Sequence, residues 1–395
     1  MKRRLTTLTR CLFIFWLASF VHAQEFRIVR QGIEHGQITR GVKSADGATG
    51  PWVINLLRVD LRKADIRLQH AMDEAVGLET TSSMAARYGA VAAINAGFFT
   101  TSGTYRGDAA GVLKVNGKLL SEPALNRVAV GFVNERHTTE IIFGHLQFDG
   151  SVETLRGKHQ LNGINRQRGA NELMLFTPEF HRTTLTTPEG VEIIVRRNRI
   201  AQIKDRQGSS IIPADGYVLS ASGAARDWAL RNLRVGERLR IRTELVAVEK
   251  AQSEKWRRAE FVVGGVPQLI KDGRIEITHE QENIRANFVT DRHPRTAIAK
   301  LKDGRLLLMT VDGRQPGYSA GMGLRQLAEI LLEFGAIEAI NLDGGGSTTM
   351  VVEGKVVNKP SDATGERAVS DALLIVERGY RIQDSGVRIT MKAER

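Results

Sequence analysis

Apolar positions along this chain recur mostly with a period of two, which is the strand signature. Residues 26 to 75 alternate in this way, most plainly from Trp52 to Leu61 and through Ile66 and Leu68. A short helix is expected from Thr81 to Tyr88, followed by a buried strand over 91–94. Asn116-Gly117 between two apolar runs predicts a tight hairpin over 112–118. Strand signals follow at 128–133, 139–143, 173–177, 191–195, 217–220 and 238–248, and a hairpin joins 296–300 to 306–311 through Lys302-Asp303-Gly304-Arg305. The period changes to three and four residues over Ser319–Phe334. There Leu324, Leu327, Ala328, Leu331 and Phe334 share one helical face, with Ser319 as the expected N-cap and Gly335 as the C′ residue. Strands at 336–340, 349–352 and 356–357 close the pattern. The expected fold is α+β: a single β-rich domain of mixed or antiparallel sheets with few helices packed on them. Residues 144–259, polar and arginine-rich in places, read as an inserted β-rich subdomain.

The N-terminus reads as an export signal. Lys2, Arg3, Arg4 and Arg10 precede the apolar run Leu12–Val21, which is too short to span a bilayer comfortably, and Val21-His22-Ala23 fits a cleavage site. The expected organisation is 1–23 signal peptide, 24–84 strand-rich segment, 85–378 main domain and 379–395 tail. A periplasmic or secreted protein without stable membrane insertion after cleavage is expected. The single cysteine, Cys11, lies in that leader, so the mature chain holds no disulfide, thiolate metal site or cysteine nucleophile. The formal charge of +12 points to anionic partners, and outside the cytoplasm these are envelope polymers or phosphorylated glycans. No aromatic-interleaved basic motif suggests nucleic acid.

The candidate chemistry is concentrated in Ile340-Asn341-Leu342-Asp343-Gly344-Gly345-Gly346-Ser347-Thr348-Thr349. An apolar strand runs into one carboxylate, three glycines and three hydroxyls. Glycines let backbone approach a ligand closely, and their successive N–H groups can cradle an anion. Asp343 is then an acid, a base or a metal ligand. The plainer reading is a glycine-rich turn closed by an Asx bond. Asp312, also at a strand end before glycine, is a second carboxylate, and two such groups can divide acid, base or nucleophile roles. Arg295 can grip phosphate oxygens as a planar fork, and Arg314 is a second candidate clamp. Asn95, at the end of a buried strand, can hold a sugar hydroxyl or the backbone. Ser347 and Thr348 can donate to phosphate, and Asn165 and Arg168 sit in a polar loop that can touch substrate. His279 and His293 lack zinc-ligand spacing. A divalent ion on Asp343 or Asp312 is chemically compatible with their hard oxygens, but nothing in the sequence demands one.

Five segments in order, Ala93–Phe99, Val263–Pro267 with Asp272-Gly273, Arg292–Ile298, Val311–Arg314 with Ser319–Gly321, and Asn341–Thr348, resemble the phosphodiester glycosidase family. Arg367–Leu373 resembles the segment that closes the family domain, and the likeness covers roughly 85–378. Val266, Ala299 and Ala96 stand where the family often has glycine. The resemblance implies hydrolysis of a sugar-1-phosphodiester to free sugar and a phosphomonoester, by an exported protein acting on an envelope or extracellular glycan. A non-catalytic binder of anionic polysaccharide or peptidoglycan is the competing expectation, and a phosphomonoesterase the third.

Overall fold

A computed structural model describes residues 26–41, 50–124 and 126–379. The proposed leader, its cysteine and the tail beyond Gly379 lie outside the described residues. The chain is β-rich and almost entirely antiparallel. Among the described residues only the short pairing of Gly163–Ile164 with Leu173–Phe176 is parallel, so these sheets are not mixed in any larger sense.

Two sheets position the chemistry. In the first, Arg295–Leu301 lies between Leu306–Val311 and Ala336–Asn341. Both neighbours run antiparallel to it, with Arg295 opposite Val311 and Ala297 opposite Asn341. Both therefore end where Arg295 begins, which brings Arg295, Asp312 and Asp343 to one end of three adjacent strands. In the second sheet, Ala92–Asn95 lies between Met350–Val352 and Asp371–Glu377, with Met350 opposite Ile94 and Ala372 opposite Asn95. That register places Asp371 at the Asn95 end.

Alternation assigns each face of the first sheet. Leu306 and Leu308 join Ile94, Met350, Leu373 and Ile375 from the second sheet, and Val130, Phe132 and Val263 from a third, in one core. Leu307 and Met309 face the other way, onto Leu324, Leu327 and Leu331 of the helix Leu324–Glu333. That helix begins four residues later than Ser319 as N-cap predicts. Gly323 is the N-cap, with its N–H donating to Gln326 Oε1 at 3.0 Å. Ser319 instead donates to the Asp312 carbonyl at 2.6 Å and accepts from Val53 N–H at 3.0 Å, so it pins a loop to a strand. Gly335 ends the helix at φ +83°, the left-handed C′ conformation.

A separate five-stranded sheet, built from 163–221, packs its apolar face against Ala225 and Ala229 of the helix Gly223–Asn232. Sequence periodicity does not reveal that helix. Its face is made of alanines rather than large apolar residues, so it carries little amphipathic signal.

Candidate active site

The ends of the two sheets are tied together by Asn95. Its side-chain N–H donates to the Asp343 carbonyl at 2.6 Å, and its Oδ1 accepts from Thr296 Oγ1 at 2.9 Å and Thr349 N–H at 3.0 Å. Leu342 N–H donates to the Thr296 carbonyl at 2.9 Å and Asp343 N–H to the Ala96 carbonyl at 3.0 Å. Asn95 is fully buried. Its amide is spent holding the loop, not offered to a sugar, which corrects its assignment as a substrate contact.

Asp343 is one of several carboxyls that burial pushes up, with Asp108, Asp312, Glu338 and Asp371. The residue is half-buried, with its carboxyl enclosed by the loop, and it accepts from Gly344 N–H at 2.9 Å. Burial pushes its pKa up to about 7, reinforced by the neighbouring Asp371 charge. Ser347, the Gly344 N–H and Arg367 pull the other way. The Ser347 hydroxyl is buried and lies near the carboxyl, but no partner reaches hydrogen-bond geometry with it. Asp371 is itself buried. It accepts from Gly97 N–H and Ser370 Oγ, each at 2.6 Å, and burial raises its pKa as well. A cavity of about 10 Å³ bounded by Gly97, Phe98, Gly264 and Asp371 is near the space one water needs. Two interacting carboxyls with raised pKa values are a recurrent acid–base arrangement.

The glycine loop also does packing work that its sequence does not spell out. Residues Gly345–Ser347 form a single 3₁₀ turn. Gly345 N–H donates to the Pro294 carbonyl, Ser347 N–H to the Gly344 carbonyl and Thr348 N–H to the Gly345 carbonyl. With Gly344 N–H on Asp343, four backbone donors of the expected anion cradle are already engaged. The absent Cβ atoms instead admit neighbours. A Cβ on Gly344 would stand 2.7 Å from the Pro294 carbonyl, one on Gly345 3.1 Å from Arg314 Nη2, and one on Gly346 2.1 Å from Arg367 Nη2. The glycines thus bring two guanidinium groups onto the loop that carries Asp343.

Arg314 is exposed, at φ +60°, and its Nη2 lies 3.2 Å from His293 Nδ1. Burial together with Arg295 and Arg314 lowers the His293 pKa, so the ring is held neutral at pH 7. Arg367 grips Asp362 through two bonds, Nε to Oδ2 at 2.7 Å and Nη2 to Oδ1 at 3.0 Å. Arg367 and Asp371 were legible as part of the closing segment but not as site residues, because neither follows a glycine-rich strand end. His293 stands out in the sequence only as a histidine without zinc-ligand spacing.

Several expected site residues serve the scaffold. Arg295 is 2% exposed. Its Nε donates to the Met322 carbonyl at 2.9 Å and its Nη2 to the Phe288 and Asp291 carbonyls at 2.8 and 2.7 Å. Its fork therefore organises the 288–322 backbone rather than standing open to phosphate. Desolvation brings its pKa down to about 10, which still leaves it charged. Asp312 is 1% exposed and accepts from Asn358 Nδ2, Lys359 N–H and Tyr318 OH between 3.1 and 3.2 Å. Both its oxygens are hydrogen-bonded, so it braces the 312–319 and 358–359 loops, while burial raises its pKa against those bonds. Thr348 is buried against Thr296 Oγ1 at 3.4 Å. Asn165 bonds the Leu120 carbonyl and Thr177, and Arg168 bonds Ser220 Oγ and the Thr187 and Glu189 carbonyls. Both are struts of the 163–221 sheet and make no contact with the Asp343 loop. Among the described residues no three His, Cys, Asp or Glu side chains converge as a metal site.

The fold and site define a β-rich scaffold that carries a carboxyl–glycine loop under arginines. Residues 189–376 match the model of the phosphodiester glycosidase family, and the chain resembles that family. The match takes in the 264, 292, 311, 341 and 367 segments, while Ala93–Phe99 lies before it. Over 84 residues, 21% of this chain, it is 46% identical to an uncharacterised prophage-derived protein of Bacillus subtilis. Over 110 residues, 26% of this chain, it is 38% identical to N-acetylglucosamine-1-phosphodiester alpha-N-acetylglucosaminidase of Bos taurus. The chain spans only 13% and 20% of those two relatives' own lengths. A solved structure of a Burkholderia pseudomallei protein described as exported superposes with a TM-score of 0.73 at 26% identity, covering 83% of this chain and 74% of the other.

Proposed function

We propose that this protein is an exported hydrolase that cleaves a sugar-1-phosphodiester in an envelope or extracellular glycan. The observation that carries the reading is the Asp343 carboxyl, poised near pH 7 beside Asp371 on a loop overlain by Arg314 and Arg367. The chemistry fits those groups. Water attacks the anomeric carbon, the bond from that carbon to the phosphate oxygen breaks, and sugar and phosphomonoester separate. A phosphomonoester has a second pKa of about 6, so it leaves at neutral pH without needing a proton. The proton demand falls on the water, and ionised Asp343 accepts that proton as general base. The phosphate changes from one negative charge to two as the bond breaks, so Arg314 and Arg367 bind it more strongly in the transition state than in the substrate. Asp371 keeps Asp343 from ionising too early and so tunes the base toward neutrality. Residues 144–259, which include the 163–221 sheet, are in this reading an inserted unit.

Purified protein incubated with a panel of sugar-1-phosphodiesters tests the proposal. Free sugar and phosphomonoester should appear, and Asp343→Asn should reduce turnover by about 10² to 10⁴. If the wild type cleaves no diester in a varied panel yet binds anionic polysaccharide equally well with and without Asp343, the protein is a binder and not a hydrolase. Release of inorganic phosphate from sugar phosphates would identify a phosphomonoesterase.

A further inference from the structure

The basic charge of this chain is unevenly placed. Residues 191–242 hold eleven Lys and Arg against five Asp and Glu, which is half of the formal excess of +12. The fold gathers part of that excess into one concavity of about 680 Å³, bounded by the Thr154-Leu155 turn, by Asn198-Arg199 and by 237–240. Arg199, Arg238 and Arg240 are exposed along it. Arg196 pairs with Arg199 across a hairpin, and Arg199 pairs with Arg238 on its other side. Directly opposed residues share a face, so three cations stand in a row across neighbouring strands. Like charges in that position destabilise a sheet. Folding gives no reason for such a row, whereas an anion laid along it removes the repulsion.

The neighbouring carboxylates do not quench the row. Glu153 lies 3.2 Å from Lys158 Nζ, and Glu237 is held by Arg156. Asp215 is shared between Arg196 and Arg197 at 3.6 and 3.4 Å. Among the described residues no carboxylate pairs with Arg238 or Arg240, and Arg199 spends one N–H on the Gly236 carbonyl at 3.0 Å. A guanidinium fork matches a planar carboxylate through two parallel bonds. Adjacent strands lie about 4.8 Å apart. That interval is close to the length of one sugar ring along a chain, so a polymer with one carboxylate per ring matches the row. From these features we infer that the concavity is a groove for a polyuronate chain, held through its carboxylates. None of its lining residues belongs to the Asp343 loop, and the groove does not depend on Asp343 being catalytic. An anionic bilayer is the other polyanion that clustered arginines attract. A concave lining holds its cations back from such a flat surface.

The full-length chain can be titrated with hexagalacturonate by calorimetry, with cellohexaose, free galacturonic acid and phosphatidylglycerol vesicles as comparators. Hexagalacturonate should bind and cellohexaose should not, and the charged monomer should bind at least about tenfold more weakly than the chain. Raising NaCl from about 0.05 M to about 0.5 M should weaken binding by screening. Arg238→Gln combined with Arg240→Gln should lower affinity by about tenfold or more. Both side chains are exposed and opposed by like charge, so Tm should not fall. Arg62→Gln combined with Arg325→Gln removes the same charge from two exposed positions elsewhere, and it should bind within about twofold of the wild type. Asp343→Asn should bind as the wild type does, so failure of the groove and failure of the hydrolase reading are told apart. The inference is overturned if hexagalacturonate does not bind, or if cellohexaose or the vesicles are bound in preference to it. It is equally overturned if the groove variant binds as the wild type does, or if the distant variant loses as much affinity.

Discussion

Replacing Gly346 by alanine separates the role of the glycine loop from that of the fold. The added Cβ would stand 2.1 Å from Arg367 Nη2 and 2.3 Å from Asp362 Oδ1, whereas ordinary contacts begin near 3.4 Å. Something must move by roughly 1 Å, and the yielding atoms are the ends of two side chains rather than backbone. Gly346 is not in the left-handed region, so alanine adds no conformational strain there. The fold should therefore accept the change. The Arg367–Asp362 pair is 37% and 27% exposed, and disturbing such a pair costs about 0.2–1 kcal/mol. Catalysis is less forgiving, because a misplacement of about 1 Å in a charge-bearing group can cost around 10²-fold. Gly346→Ala should then lower kcat/KM on a sugar-1-phosphodiester by about a hundredfold while Tm changes by no more than about 4 °C. Steady-state kinetics and thermal unfolding on the same preparation decide the matter. Activity within threefold of wild type would show that Arg367 does not act on the substrate. A large fall in Tm together with activity would show that the glycine serves packing alone.

Further outcomes follow from the same groups. The rate should rise with pH through about 7 as Asp343 ionises, and Asp371→Asn, which removes the neighbouring charge, should shift that midpoint downward; an unmoved profile would exclude Asp343 as the titrating base. Asp343→Asn should also stabilise the protein at pH 8 relative to wild type. The folded pKa lies above the ordinary value of about 4, so the favourable term is complete below pH 4 and is lost as pH rises through about 7. The Tm difference between the two proteins should accordingly be near zero at pH 4 and grow toward pH 8. Arg168→Ala should cost about 1–3 kcal/mol by leaving buried Ser220 and two carbonyls without a donor, yet leave kcat/KM of the folded protein unchanged. Leu327→Ala, which empties a fully buried position between helix and sheet, should cost about 2–5 kcal/mol in denaturant unfolding.

Much of the fold was legible because alternation is dictated by burial on one face of a sheet. Leu306 to Met309 point alternately into two cores, and the period-two pattern records that directly. The late start of the helix was not legible from Ser319, since a serine side chain caps a helix and pins a loop with the same hydroxyl. The site was legible as a place rather than as a set of roles. Strand ends marked Asp312 and Asp343, which lie at one end of the first sheet, and Asn95, which ends a strand of the second. Which of them stays free for chemistry depends on the partners each meets across the fold, and that is a tertiary property. Asp312 and Asp343 share the same local sequence, an apolar strand followed by Asp-Gly. Asn358, Lys359 and Tyr318, close together only in the folded chain, occupy the first, while the second keeps one backbone bond and a carboxylate neighbour.

The same distinction explains the arginines. Arg295 sits on a strand, and its burial beneath the 288–322 backbone sets its guanidinium to work on carbonyls. Arg314 and Arg367 come from loops, and each reaches the Asp343 loop only because a glycine there lacks a Cβ. Three consecutive glycines were therefore a signal of close approach, and the groups approaching include a backbone carbonyl and two guanidiniums. On the proposed reading, affinity for a phosphodiester rests on the side chains that the glycines admit. Replacing Arg314 should then weaken phosphodiester binding even though every backbone donor of the loop remains in place.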